Sequence, residues 1–245
     1  MQPIITPRLL KPEEFDLYTS NWHELVHGGN SDALRDIFTR SNGVQNYVYL
    51  PKEFAALWED KNTVAIRLKF VVAPDDAQSG TSAFSIALFG IDESDKPISD
   101  YYYLAGVAAL RAEIEELPEL SVAVEEAVIP FDEAVKWIIR WNALTVEELT
   151  LELFYSEQGP LLGYTYPVDD FQDAFSPATQ PNAALWLNFV LHEPDPDGTT
   201  EGGAPLLFST VLTLNTIPSG DSPGIIMLSR QDLYYDISKP CPPAC

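Results

Sequence analysis

The chain has 245 residues, 46% hydrophobic and 11% aromatic, enough apolar surface for a core that buries roughly three quarters of what the unfolded chain exposes. Its 14 Lys and Arg stand against 37 Asp and Glu, a formal charge of -23 that repels phosphate backbones and anionic lipid headgroups. Nucleic acids and membranes are disfavoured as partners on that ground, and no run of about eighteen apolar residues occurs that could span a bilayer.

Met1 to Leu10 carries Pro3, Pro7 and one arginine, without the basic start and continuous apolar stretch of a secretory signal, so the cytoplasm is the expected compartment. Pro12 followed by Glu13 and Glu14 predicts a helix start, because proline suits the first turn and carboxylates complement the dipole there. Gly28 and Gly29 predict its end, and Phe15, Tyr18, Trp22, Leu25 and Val26 form its apolar face. A second helix is expected over 31–41, capped by Asn30 or Ser31, and a third from Pro51 with Phe54, Leu57 and Trp58.

The period then changes. Val64, Ile66, Leu68, Phe70 and Val72 alternate with Arg67 and Lys69, which predicts a strand over 63–72, and Phe84, Ile86 and Leu88 predict another over 83–91. Leu104, Val107, Leu110 or Arg111, Ile114 and Leu117 have helical spacing and predict a helix that Pro118 ends. Phe131 to Leu144 reads as an amphipathic helix with Trp137 and Trp141, and Leu149, Leu151, Leu153 and Tyr155 as a strand over 149–156. Glu157 to Pro181 has little periodicity and reads as a long aromatic-rich loop. Strands follow over 183–192, 205–214 and from Ile225 to Leu228.

Helices and strands in blocks predict an α+β fold with a mainly antiparallel sheet and several packed helices. The inward set should include Val64, Ile66, Leu68, Leu187, Phe189 and Leu212. A single domain over 1–245 is expected; the alternative is two weakly similar halves, 1–125 and 126–245. A strand, acidic loop, strand unit at Thr63 to Ile91 recurs at Ala184 to Asn215, and Phe15-Asp16 in the first helix has a counterpart in Phe131-Asp132.

Five residues carry the most specific chemistry. His23-Glu24-Leu25-Val26-His27 matches H-E-x-x-H, in which two imidazoles one helical turn apart reach one tetrahedral zinc and the glutamate activates its water. The segment resembles the zincin metallopeptidases, which implies His23 and His27 as zinc ligands and Glu24 as general base. A third ligand would come from Asp32, Asp36 or the distant His192. Against this, Gly28 and Gly29 end the helix at the motif, and a stripe through Phe15, Tyr18, Trp22 and Val26 turns Glu24 away from the core.

Other patterns are weaker. Gly220-Asp221-Ser222-Pro223-Gly224 is similar to the serine segment of chymotrypsin-like proteases, but Pro223 replaces a glycine and the run is ordinary turn chemistry. Glu193, Asp195, Asp197 and Gly198 imitate half an EF-hand loop, with Ala204 where the bidentate glutamate belongs. Tyr101, Tyr102, Tyr103, Tyr164, Tyr166, Tyr234 and Tyr235 suit either a ligand groove or core edges. Cys241 and Cys245, with Pro242 and Pro243 between them, read as two thiols at the tail.

The favoured expectation is a non-enzymatic acidic module that holds a protein or small-molecule partner, using the aromatic stretch from Glu157 to Pro181. A zinc-dependent hydrolase built on His23, Glu24 and His27 is the alternative.

Overall fold

The computed structural model describes residues 8–40, 43–50, 57, 59–74, 83–104, 106–107, 111–115, 131–174, 183–192, 206–216, 225–229, 233–235 and 239–240. Strand β1 (Arg8–Leu10) leads into helices α1 (Pro12–Gly28) and α2 (Ser31–Phe38), followed by β2 (Tyr47–Leu50), β3 (Ala65–Ala73), β4 (Ala83–Ile91), β5 (Tyr101–Leu104) and β6 (Gly106–Val107). Helix α3 (Phe131–Asn142) comes next, then a 3-10 turn at Leu151–Phe154, β7 (Gly163–Pro167) and α4 (Val168–Ala174). The last third holds β8 (Ala183–His192), β9 (Leu207–Thr216), β10 (Leu233–Tyr235) and β11 (Lys239–Pro240).

These strands form two antiparallel sheets, in the orders β1-β5-β4-β3-β7-β11 and β10-β9-β8-β2-β6. The alternation in β3 and β4 puts Ile66, Leu68, Phe70, Phe84, Ile86 and Leu88 on one face. That face shares a single buried cluster with Val48, Leu50, Leu187, Phe189, Leu191, Phe208 and Leu212 of the other sheet. The sheets therefore pack face to face, α1 lies against β3, and α3 lies against β8. Two hydroxyls tie the layers together: Tyr164 donates to the Phe208 carbonyl and Tyr166 to that of Thr210, at 2.6 Å for the latter. Among the described residues no helix is long and apolar enough to cross a membrane.

The α+β class and the four long strands follow the periodicity, but several elements differ from it. Residues 101–104, 106–107 and 111–115 are strands and not a helix: Tyr101, Tyr102 and Tyr103 suit a pleated half-buried surface, and β4 offers an edge that pairs with them. The stretch 149–156 forms a 3-10 turn and a two-residue strand, because Leu149 and Phe154 must both reach the core, which strict alternation from Leu149 would not allow. The supposed loop from Glu157 contains β7 and α4, recruited by the free edge of β3. Helix α2 stops at Phe38, and a short hairpin of Thr39–Arg40 with Gly43–Val44 takes its place. Val64, just before β3 at the end of the sheet, is 40% exposed although its backbone bonds to Ile91 and Val168, whereas the other five inward residues are fully buried. The Ile225–Ser229 strand pairs parallel with Arg111–Glu115, an exception to the antiparallel pattern. The helix expected from Pro51 lies outside the described residues apart from 57 and 59.

Candidate functional site

Helix α1 begins with a charged clasp. The Glu14 carboxylate accepts the Lys11 backbone N–H at 3.0 Å and pairs with Arg8 of β1, so the strand and the helix start are fastened by one side chain. The Lys11 amide, joined by Arg8, holds the Glu14 carboxyl below the usual range. Further along, Tyr18, Trp22 and Val26 are buried, and Phe15 stacks on Tyr101 at 3.9 Å between ring centres. The helix closes at Gly29, whose φ of 70° is the left-handed cap, and the Asn30 side chain then accepts the Asp32 and Ala33 amides to start α2.

This orientation fixes what the H-E-x-x-H motif can do. With Trp22 and Val26 facing inward, His23, Glu24 and His27 all stand exposed, and the two imidazoles lie 4.1 Å apart between ring centres. Glu24 borders an open depression with Leu25, Asn30 and Val72, one not closed off from solvent. Asp32 is exposed and paired with Arg35, Asp36 is exposed, and His192 lies near Trp137 beside α3. Among the described residues no group of three or more His, Cys, Asp or Glu is placed to share a metal ion.

The tyrosines divide into two sets. Tyr164 and Tyr166 are core residues with hydroxyls spent on carbonyls of the facing sheet. Tyr101, Tyr102 and Tyr103 are half-buried on β5; Tyr103 meets Tyr18 edge-on and carries the Arg8 guanidinium over its ring. Burial pushes the Tyr101 and Tyr102 phenols up, helped by Asp16 and Asp100 respectively. The side chains of Tyr234 and Tyr235, Ser222, the acidic run from Glu193 to Gly198 and both cysteines lie outside the described residues.

Sequence reasoning missed two features. Arg67 sits on the polar side of β3 yet is buried, with Nη2 bonded to Asp95, a non-glycine residue held at φ 66° in the Asp92 to Lys96 turn. A cation in the middle of a nine-residue alternating strand was the available signal. The second is a pair of tryptophan bonds: Trp22 Nε1 donates to the Leu161 carbonyl and Trp141 Nε1 to the Gln45 carbonyl, both at 2.8 Å. Sequence distances of 139 and 96 residues hid these from any local pattern.

Comparison with known proteins finds no matching family model, no matching curated protein and no matching solved structure.

Proposed function

We propose that this chain is a binding or assembly module that engages a basic protein partner through its acidic surface. One observation carries the reading: among the side chains whose burial is described, every Asp and Glu is exposed except Glu14, Asp92 and Asp170. Several of the cations are already committed, Arg8 to Glu14, Arg35 to Asp32, Arg67 to Asp95 and Lys136 to Glu133. A surface with this imbalance attracts cationic partners over a Debye length of about 10 Å at 0.1 M salt and speeds their encounter. The buried tyrosines, by contrast, are occupied within the fold and have little left to offer a ligand.

The test is direct. A labelled lysine- and arginine-rich peptide should bind at 50 mM salt and release at 300 mM, and a neutral peptide of the same length should not bind. Absence of binding at 50 mM salt would remove this reading.

A zinc-dependent hydrolase remains the second reading, favoured by the adjacency of the His23 and His27 rings. The described residues supply two imidazoles toward a zinc ion, and Glu24 would act on water bound to it. Titration with zinc alone discriminates the two. One equivalent bound at micromolar affinity and lost in His23→Ala, with hydrolysis abolished in Glu24→Gln, would favour the enzyme.

A further inference from the structure

Going beyond any reading of partner or substrate, the two halves of the chain repeat each other in detail. Sheet order is the first sign. Leaving aside β1, which adds a sixth strand to the first sheet, and the parallel pair Arg111–Glu115 with Ile225–Ser229, replacing β2 through β6 by β7 through β11, and the reverse, turns β5-β4-β3-β7-β11 into β10-β9-β8-β2-β6, which is the second sheet. Each set is preceded by a helix and a two-residue hairpin, Thr39–Arg40 with Gly43–Val44 in one and Tyr155–Ser156 with Gly159–Pro160 in the other.

Register agrees residue by residue. On β3, Tyr164 lies opposite Leu68 and Tyr166 opposite Ile66; on β8, Val48 lies opposite Leu187 and Leu50 opposite Leu185. Hydrogen bonds outside the ladders follow the same correspondence. Gln45 N donates to Phe38 O at 2.9 Å and Leu161 N to Phe154 O at 2.8 Å, while Phe70 N donates to Leu162 O at 3.0 Å and Phe189 N to Asn46 O at 2.8 Å. Trp22 and Trp141 occupy the same position in their helices and make the same indole bond, each to the other half.

The aromatic core repeats as well. Trp22 lies 5.3 Å from Phe84 and Trp141 4.9 Å from Phe208; Phe38 lies 4.2 Å from Phe84 and Phe154 4.8 Å from Phe208. Phe70 is 5.4 Å from Phe208, and Phe189 is 5.6 Å from Phe84. Two pairs join equivalent residues across the middle, Phe38 with Phe154 at 5.3 Å and Phe84 with Phe208 at 6.2 Å, as a two-fold axis between them requires. Sandwich packing alone dictates neither a shared register nor matched tryptophan bonds.

We propose that residues 12–107 and 131–240 are two copies of one structural unit. They are interlocked because each lends a strand, β2 or β7, to the long hairpin of the other. Each sheet is then completed only by its neighbour, which fuses into one chain what would otherwise be a strand-exchanged dimer. The exchange makes the two copies a single cooperative body: releasing either strand exposes the edge of a central hairpin and breaks the tryptophan bond of the helix beside it.

The interlock is tested on the full chain carrying a specific protease site inserted between residues 117 and 130 and cut after folding. The two fragments should elute together at the volume of the uncut protein and separate only in denaturant; separation in native buffer overturns the interlock. The equivalence is tested without the insertion, by calorimetry of the unaltered chain, Trp22→Phe and Trp141→Phe. A single transition lowered to a similar degree by both variants is expected. Two transitions, each moved by only one variant, or shifts differing more than threefold, overturn the two-copy proposal.

Discussion

Helix α1 runs six residues beyond Trp22, whereas α3 ends one residue after Trp141. From there the paths diverge. The first goes through the Gly29 cap and α2 to Phe38; the second goes through a turn at Thr145 to Glu148, where Thr145 N–H and hydroxyl both bond the Glu148 carboxylate, to Phe154. Both deliver a buried phenylalanine to the same place in the core. The comparison teaches which parts of the unit packing demands: the tryptophan and the phenylalanine are required, and the connection between them is free. His23, Glu24 and His27 fall in that free connection or at its border, on solvent, so the fold itself places little demand on them.

The largest effect that could break the equivalence lies at its centre. Phe38→Ala and Phe154→Ala each remove a fully buried ring and should each cost about 3–5 kcal/mol in denaturant unfolding. A loss from one at less than half that from the other would mean the two cores are not equivalent. Next comes a position where the copies differ in residue type. Gly163 starts β7 at φ 151°, and a Cβ there would run into the Leu68 carbonyl oxygen, whereas the matching position at the start of β2 is Tyr47. Gly163→Ala should cost about 2–4 kcal/mol by forcing β7 off β3, and a neutral result would show that the strand shifts freely.

A smaller effect of opposite sign is expected at Gln45. Its side chain is completely buried with neither amide atom partnered among the described residues, while the equivalent Leu161 fills its site without a polar group. Copying that solution, Gln45→Leu should stabilise by about 1–2 kcal/mol, because an unsatisfied buried amide is removed at nearly constant volume. Destabilisation would mean the amide has a role that the other half lacks.

The smallest effect is a pH dependence that compares the start of α1 with the turn after α3. Backbone amides of Lys11 and Thr145 hold the Glu14 and Glu148 carboxyls below the usual range. A carboxyl depressed in the folded state contributes stability above its unfolded value near pH 4.3 and loses it as pH falls through the folded value. Melting temperatures of Glu14→Gln and Glu148→Gln should therefore lie below the unaltered chain at pH 6 and approach it near pH 3. A gap that widens toward pH 3 would reverse the assignment.

Much of this was legible in the residues themselves. Period-two alternation located β3, β4, β8 and β9 by the residues each turns into the shared core, although in β4, β8 and β9 the described residues of the opposite face are buried as well. The helical stripe through Tyr18, Trp22 and Val26 oriented α1 and thereby turned Glu24 to solvent. The repeat was audible only faintly. Matching Phe15-Asp16 with Phe131-Asp132 misaligns the helices, which correspond through Trp22 and Trp141, so Phe15 is equivalent to Ala134.

What the residues could not carry is which strand lies beside which. Strands β5 and β7 are short, and their side chains fit a helix face, a loop or a sheet edge until β4 and β3 present unpaired backbone to them. The exchange of β2 and β7 is of the same kind: backbone hydrogen bonds are alike for any strand, so local sequence leaves the partner open. Burial of Val48 and Tyr164 against opposite sheets, with Trp22 and Trp141 bonded across the halves, selects the exchanged pairing. Composition and periodicity thus determined the long elements and the residues they turn to the core, because those depend on a residue and its near neighbours. Tertiary packing determined the exchanged pairing of β2 and β7, because that depends on groups about a hundred residues away or more.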